Sequence, residues 1–343
     1  MDSWVQIQRH AHVGCLTLAR PEALNALNFS MIQCIEQQLT RWHEDPSVLA
    51  VVIDTLETKA FCAGGDVRWV YQEAQHHLEA VNDFFFREYR MNALLGNFSK
   101  PIISLMNGLT MGGGVGLGMH VDYPIATEHF IFAMPETFIG LFPDVGASYL
   151  LSRLPQGLGM YLGLTGHRLS AADAHALGLV RSVIPSSSLP DVRRHLWAMD
   201  ASLPIHEQIE ACLHTVRIAP GSLPVMNDEL IAGIEQCFMH PHFEGIIQSL
   251  LHRNDAWARE TLQGLRRCSP TSLKVTFQHL QEAEKLDLKA CLKRDYQLVQ
   301  HFLKGHDFYE GVRALLIDKD KNPQWQPATW EEVTEDMILA YWS

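Results

Sequence analysis

The chain has 343 residues, of which 47% are hydrophobic and 19% charged, and its formal net charge is −12 at pH 7. These proportions are typical of a globular protein that can bury a sizeable core. The negative balance argues against nucleic-acid binding, which requires clustered Lys and Arg. No apolar run reaches the roughly 18 residues that predict a transmembrane helix, so no membrane partner is expected.

Cysteine and histidine usage gives no sign of a metal site. The seven cysteines are scattered without a CxxC pair, which is typical of reduced thiols in a cytosol-like compartment. The histidines form no HExxH motif and lack cysteine partners at zinc spacing. Residues 1–20 contain no secretory signal pattern and no clear organelle transit peptide. We therefore expect a cytoplasmic protein if the source is bacterial.

The first half of the chain alternates strand and helix patterns. Residues 4–18 predict two short strands, and residues 31–43 predict an amphipathic helix with Ser30 as its N-cap. Residues 48–54 predict a strand that is rich in β-branched residues and apolar through Ile53, which suits a sheet covered on both faces. This alternation, which continues to about residue 185, predicts an α/β fold.

Two glycine-containing loops follow predicted buried strands. They are KAFCAGGDVR (59–68) and NGLTMGGGVGLG (107–118). Buried glycine is unfavourable for stability, but it lets a ligand approach the backbone and its N–H groups. Loops after buried strands are also where α/β sheets present ligand sites. The alternative is two unrelated tight turns.

Strand patterns end near a Pro- and Ser-rich run at 185–190. Beyond it, residues 243–265, 272–284 and 286–302 show helical periodicity. We therefore predict a catalytic core over 1–187 and a helical C-terminal region over 188–343 that packs on it.

Five motifs, taken together and in this order, resemble the crotonase (enoyl-CoA hydratase/isomerase) superfamily. They are RPEALNAL (20–27), the two glycine loops, FAMPETFIGLFPDVG (132–146) and LTGHRLSAADAHALGLV (164–180). The last third, with SPTSLK (269–274) and DFYEGVRALLIDKDKNPQW (307–325), resembles the 3-hydroxyisobutyryl-CoA hydrolase branch. The resemblance implies a crotonase-like core of ββα units, with a helical C-terminal extension, that binds acyl-CoA. It implies no metal or redox cofactor, because CoA is part of the substrate.

The resemblance also implies an oxyanion hole. By motif match, the backbone N–H groups of Gly65 and Gly113 hold the thioester oxygen, and both residues are expected to be catalytic. Further substrate contacts are expected from four residues of the first loop: Lys59, Ala63, Asp66 and Arg68. The two cations, Lys59 and Arg68, are expected to face the CoA phosphates. The alternative for both is ordinary surface charge.

The resemblance points to carboxylates as the reacting groups. Enoyl-CoA hydratases use two glutamates, and here the first position is Gly116 while the second matches Glu136. Asp144 is an acid where hydratases lack one, as in the hydrolase branch. We expect Glu136 to be the nucleophile or the general base, and Asp144 to orient the substrate 3-hydroxyl or the water. Glu88 matches a substrate-contacting position of that branch.

Purely structural roles are the alternatives for all three acids. Glu136 and Asp144 could be loop caps, Asp144 at the start of the following helix, and Glu88 could be an exposed helical glutamate.

The implied activity is hydrolysis of a short-chain 3-hydroxyacyl-CoA, foremost 3-hydroxyisobutyryl-CoA, an intermediate of valine breakdown. The alternatives are an enoyl-CoA hydratase or isomerase, and a non-catalytic acyl-CoA-binding protein. For assembly, the alternatives are a homo-oligomer, as in related folds, and a C-terminal region that covers the core within one chain.

Overall fold

A computed structural model describes residues 4–57, 59–74, 76–219 and 226–343. Its strands are β1 (Val5–His10), β2 (Val13–Leu18), β3 (Ala50–Thr55), β4 (Ala60–Cys62), β5 (Ile102–Met106), β6 (Leu109–Met111), β7 (Tyr123–Thr127), β8 (Ile131–Ala133), β9 (Leu169–Ser170) and β10 (Ser182–Ile184). Its α-helices are α1 (Phe29–Glu44), α2 (Val67–Glu73), α3 (Leu78–Gly96), α4 (Gly113–Met119), α5 (Ala147–Leu151), α6 (Leu158–Thr165), α7 (Ala171–Ala176), α8 (Leu189–Trp197), α9 (Ile205–His214), α10 (Asp228–Phe238), α11 (Phe243–Arg253), α12 (Ala256–Leu265), α13 (Pro270–Ala283), α14 (Leu288–Phe302), α15 (Asp307–Val312) and α16 (Glu335–Leu339). Beyond β10 the described residues form helices and no strand, so the predicted α/β class with a helical C-terminal part is confirmed.

The chain forms two compact units, each assembled from three segments. The first unit comprises Met1–Asp66, Arg90–Phe132 and Leu169–Val225. The second comprises Val67–Tyr89, Ala133–Arg168 and Met226–Ser343. These units do not coincide with a single cut after residue 187. The functional division into 1–187 and 188–343 stays a prediction.

The first unit contains two sheets. Among its described residues, six strands lie in the order β1-β2-β3-β5-β7-β10, with β1 antiparallel to β2 and the later neighbours parallel. A smaller sheet follows the order β4-β6-β8-β9. The turns that carry the glycine loops follow β4 and β6 of this smaller sheet.

Both faces of the six-stranded sheet are covered. On one face, alternate strand residues pack under α8 and α9, and they include Cys15, Val52 and Ile103. On the other face, a Cβ at Gly14 would lie 2.7 Å from the Trp42 ring of α1. Every residue of β3 is buried, as a strand between two helical layers requires.

The first helix begins earlier than its sequence predicts. Asn28, not Ser30, is the N-cap of α1, and its side-chain oxygen accepts from the Met31 N–H at 2.9 Å. Ser30 lies inside the first turn and donates its hydroxyl to Asn28 at 2.8 Å. Both residue types are good caps, so composition alone could not separate them.

A nearly buried ion pair fixes α8 to the end of β3. The Arg193 guanidinium donates to the Asp54 carboxylate at 2.6 Å and to the Thr55 carbonyl at 2.9 Å. The Asp54 side chain is 5% exposed and that of Arg193 12%. Asp54 also accepts from the Thr17 hydroxyl at 2.6 Å, so both of its oxygens are satisfied.

We expect Asp54→Ala to lower the free energy of unfolding by about 3–5 kcal/mol, because it leaves the Arg193 charge unpaired away from water. The matched control is Asp191→Ala, which breaks the exposed Arg194–Asp191 pair on the same helix. That variant should cost less than about 0.5 kcal/mol. Urea unfolding of the two variants measures both values, and equal losses would contradict the assigned role of Asp54.

Candidate functional site

In the first glycine loop, the peptide groups on either side of Gly65 bond to Leu27, whereas the N–H of Gly65 points the other way. The Leu27 N–H donates to the Gly64 carbonyl and the Asp66 N–H donates to the Leu27 carbonyl, each at 2.8 Å. Gly65, between these two peptide groups, pairs with Leu27 in a parallel bridge. In such a bridge the N–H of the central residue points away from the partner strand. The Gly65 N–H is therefore turned away from Leu27.

The second glycine loop lies beside the first within the same unit. A Cβ on Gly64 would be 3.8 Å from the Gly113 nitrogen. Gly113 is the first residue of α4, where N–H groups have no intrahelical partner. The structure thus brings the segments of Gly65 and Gly113 together, as a pair of oxyanion donors requires. Their role in binding a thioester stays a prediction.

Helix α4 packs directly on the end of β4. Every one of its residues is buried, including Gly116. A Cβ at Gly114 would lie 2.2 Å from the Cys62 carbonyl oxygen, so only glycine allows this approach. The glycine run therefore has a packing reason beside its predicted chemical one.

The other predicted contacts of the first loop have different surroundings. Lys59 and Arg68 are exposed, which suits cations that meet a phosphate, while Ala63 is half-buried. Asp66 accepts from the Arg20 guanidinium at 2.7 Å. Their contact with substrate remains a prediction.

In the second unit, Glu136 begins a 3-10 turn, Glu136–Ile139. The Glu136 carbonyl accepts from the N–H of Leu141 at 3.0 Å, which closes the turn. Thr137 fastens it on two sides: its hydroxyl donates to the Leu164 carbonyl at 3.1 Å, and its carbonyl accepts from the Ser269 N–H at 3.0 Å. The backbone that carries the Glu136 side chain is thus fixed by hydrogen bonds to the segments of Leu164 and Ser269.

Helix α15 supports the same turn from the C-terminal part of the chain. A Cβ at Gly140, where φ is +70°, would lie 2.2 Å from the Asp307 carbonyl oxygen. A Cβ at Gly311 would lie 2.4 Å from the Ile139 carbonyl carbon. Backbone meets backbone at both points, so neither position has room for a side chain.

Three carboxyl groups of the second unit are buried together. Glu88, Glu136 and Asp144 are 2%, 6% and 5% exposed. Burial, followed by repulsion from Asp144, raises the pKa values of Glu88 and Glu136 well above their usual range. No hydrogen bond from a described residue reaches Glu88 Oε1 or Glu136 Oε2. Because Glu88 is buried, the alternative that it is an exposed helical glutamate is wrong.

Asp144 has its own hydrogen-bond donor. The Tyr89 hydroxyl, itself buried, donates to Asp144 Oδ2 at 2.7 Å. Burial raises the pKa of Asp144 to about 7, and the Tyr89 hydrogen bond offsets part of that rise. The N-cap of the next helix is Gly146, with no side-chain cap, so Asp144 does not serve as the cap of α5.

Three residues near this cluster have no motif in the sequence: Tyr89, His279 and Asp295. Asp295 and His279 did leave a signal, because each falls on the buried apolar stripe of its helix, beside Leu298 and Leu280 respectively. A titratable side chain in such a stripe is unusual and indicates a specific partner. Tyr89 left none, since a buried aromatic residue on α3 is ordinary.

Within the described ranges, no group of three or more His, Cys, Asp or Glu side chains is arranged to hold a metal ion. Among the same residues, no helix is long and apolar enough to cross a membrane.

Adjacent glycine loops and a buried carboxyl cluster on an α/β chain define an enzyme of the crotonase type. The chain belongs to the enoyl-CoA hydratase/isomerase family, whose sequence profile matches residues 13–342. The resemblance predicted from the motifs is therefore confirmed.

Known relatives span nearly the whole chain. The mitochondrial 3-hydroxyisobutyryl-CoA hydrolase of Xenopus tropicalis is 44% identical over 333 residues, covering 96% of this chain and 86% of that protein. The Homo sapiens protein of the same name is 41% identical over 336 residues, covering 97% and 86%.

Solved structures share the fold under other names. A carnitinyl-CoA dehydratase from Mycobacterium thermoresistibile matches with a TM-score of 0.91 and 35% identity over 100% of this chain and 97% of that one. An enoyl-CoA hydratase from Rhodobacter sphaeroides 2.4.1 matches with a TM-score of 0.89 and 36% identity over 99% and 97%. Since these names cover several reactions, the site residues must discriminate among them.

The buried acids should make stability fall as pH rises. Their pKa values are raised in the folded state, so the folded protein holds protons that the unfolded chain releases. The stability that these protons contribute is complete below about pH 4, near the ordinary carboxyl pKa values. It is lost as pH rises, for Asp144 through about pH 7.

Glu136→Gln should remove part of this pH dependence. The variant should be more stable than wild type at about pH 8, and the gain should vanish near about pH 4, the ordinary carboxyl pKa. Urea unfolding across this range measures it, with the exposed Glu331→Gln as control. Parallel curves for wild type and Glu136→Gln would refute the explanation.

Gly140→Ala should destabilise the protein by roughly 1–3 kcal/mol, because the new methyl group would overlap the Asp307 carbonyl. Gly264→Ala in α12 is the matched control, since its Cβ would meet nothing within 4 Å. That substitution should be neutral or stabilise by up to about 1 kcal/mol. Thermal unfolding of both variants decides, and an unchanged melting temperature for Gly140→Ala would be inconsistent with the described contact.

Proposed function

We propose that this protein hydrolyses a short-chain 3-hydroxyacyl-CoA thioester, foremost 3-hydroxyisobutyryl-CoA to 3-hydroxyisobutyrate and CoA, in valine breakdown. The observation that carries the proposal is the buried pair Glu136 and Asp144, with Gly116 where a hydratase has glutamate. The names of the relatives that are 41–44% identical support it.

Thioester hydrolysis requires stabilisation of negative charge on the carbonyl oxygen. We assign this task to the N–H groups of Gly65 and Gly113, and each such donor is worth about 3–4 kcal/mol in a site without water. The nearby loops of the first unit support the assignment, because they place the segments of these two donors side by side.

Two chemical routes fit Glu136. In the first, its carboxylate oxygen attacks the carbonyl carbon, the C–S bond breaks, CoA leaves as the thiolate, and water then hydrolyses the acyl-enzyme anhydride. In the second, Glu136 takes a proton from water while the water oxygen attacks the same carbon, and the C–S bond then breaks with CoA leaving as the thiolate. Both routes need an ionised Glu136.

The surrounding acids make such an ionised group reactive. Burial and repulsion favour the protonated forms of the carboxyls, so the cluster carries fewer charges than it has groups. One member can then be ionised while a protonated neighbour donates a hydrogen bond. We assign to Asp144 the orientation of the substrate 3-hydroxyl or of the water, and to Glu88 a further substrate contact.

The proposal includes no metal or redox cofactor, because a thioester carbonyl is already electrophilic and its thiolate is a good leaving group. CoA arrives as part of the substrate, and we assign Lys59 and Arg68 to its phosphates, with Ala63 and Asp66 lining the loop.

The relatives are mitochondrial by name, while a cytoplasmic location stays our expectation for a bacterial source.

Hydration of an enoyl-CoA is the rival reaction. It adds water across a C=C bond, and the family's hydratases use two glutamates for it, whereas this chain has Gly116 at the first of these positions. Release of free thiol from 3-hydroxyacyl-CoA substrates, against loss of enoyl absorbance, separates the two reactions. Absence of both signals would favour a non-catalytic acyl-CoA-binding protein.

Glu136→Gln should lower kcat for thiol release by about 10²–10⁴-fold, because an amide is neither a nucleophile nor a base at this position. A panel of short acyl-CoA thioesters, including the 3-hydroxyisobutyryl and 3-hydroxypropionyl compounds, provides the assay. Glu331→Gln is again the control and should retain wild-type turnover. Near wild-type activity in Glu136→Gln would show that Glu136 is neither the nucleophile nor the general base.

Hydrolysis in oxygen-18 water separates the two routes. Label in the Glu136 carboxyl, located by mass analysis of its peptide, identifies the anhydride. Label confined to the product acid after many turnovers favours the general-base route.

A further inference from the structure

We propose that Asp295 is a positioning residue for Asp144, and that together with His279 it acts through the backbone N–H of Gly146. The inference rests on the proposed function, in which Asp144 orients the substrate hydroxyl or the water. All four residues belong to the second unit.

The turn that follows Asp144 is strained. Val145 has φ of +53° and Gly146 has φ of +75°, so two consecutive residues are left-handed. Valine is β-branched, and such residues are rare outliers in this region. Val145 is also 1% exposed, so the strain lies inside the protein. Strained backbone persists only where its surroundings hold it in place.

Asp295 provides such a hold. Its Oδ2 accepts from the Gly146 N–H at 2.7 Å, and its Oδ1 lies 2.8 Å from His279 Nε2. Asp295 is 0% exposed and His279 1%. Burying a carboxylate costs free energy unless its oxygens are hydrogen-bonded. Here its two oxygens hold one strained peptide and one imidazole.

Asp295 also acts on Asp144 by its charge. The groups that face Asp144 are Tyr89 and Glu88 from α3, Glu136 from its 3-10 turn, and Asp295 from α14 with His279 behind it from α13. The Tyr89 hydrogen bond lowers the pKa of Asp144, whereas repulsion from Asp295 raises it. Removal of one or the other should therefore change the pKa of Asp144 in opposite directions.

Two substitutions at Asp295 separate position from charge. Asp295→Asn keeps an oxygen for the Gly146 N–H, can donate to His279 Nε2, and loses the charge. Asp295→Ala loses both the acceptor and the charge. We expect Asp295→Ala to lower kcat by about 100-fold, the typical effect of a misplaced reacting group, with a smaller change in KM.

Asp295→Asn should retain most of kcat and lower the pKa of Asp144, since it removes a repulsion that favours protonated Asp144. Tyr89→Phe should raise that pKa, since it removes a hydrogen bond to the carboxylate. Val145→Gly in the Asp295→Ala background should recover part of kcat, because glycine adopts the left-handed turn without strain. The exposed Asp336→Asn is the control and should leave kcat and the Asp144 pKa unchanged.

Two measurements do not depend on turnover. Hydrogen exchange of the peptide containing Gly146 should speed up in Asp295→Ala and stay near wild type in Asp295→Asn. Infrared titration of carbon-13-labelled aspartate should show a lower Asp144 pKa in Asp295→Asn. If wild type releases no thiol from any substrate, the proposed function fails, and these two measurements still decide the positioning role.

A folded Asp295→Ala with unchanged kcat and unchanged exchange at Gly146 would overturn the inference. So would a lower melting temperature with kcat per folded molecule and the Asp144 pKa both unchanged, since that result describes a merely structural role. If Asp295→Ala fails to fold, Asp295→Asn decides: an unchanged Asp144 pKa in that variant overturns the proposal.

Discussion

The constraint on which this structure depends is the burial of several carboxyl groups in one place. Burial and mutual repulsion both work against ionisation of Glu88, Glu136 and Asp144. Left to relax, such groups would turn toward solvent or separate. The surrounding backbone must therefore be rigid enough to keep them where they are, and much of the second unit is built to do so.

That rigidity comes from close backbone contacts and from a few buried hydrogen bonds. The Glu136 turn is fastened by Thr137 and closed against α15 at Gly140, where no side chain fits. The Asp144 turn is held at Gly146 by Asp295. Helices from the last third of the sequence thus fix two short loops from its middle, so in the proposed function the extension beyond the last strand supports the reacting groups.

The sequence predicts the α/β class, the helical C-terminal part and both glycine loops, because these follow from local periodicity and composition. It also predicts Glu88, Glu136 and Asp144 as candidate residues, although only the structure decides that Glu88 is buried and that Asp144 is no helix cap. Asp295 escapes prediction because it is 149 residues away from the peptide that it binds. A pairing of that range depends on how the helices pack, and no local pattern encodes it.

The same burial changes what the overall charge of the molecule means. The formal value of −12 counts all 39 acidic side chains as ionised. Raised carboxyl pKa values make the charge at a given pH less negative than this count, and Asp144, with a pKa of about 7, is part-protonated near neutral pH. A ligand that brings charge close to these groups will change how many protons they hold. The number of protons bound by the buried carboxyl groups therefore depends on what occupies the site.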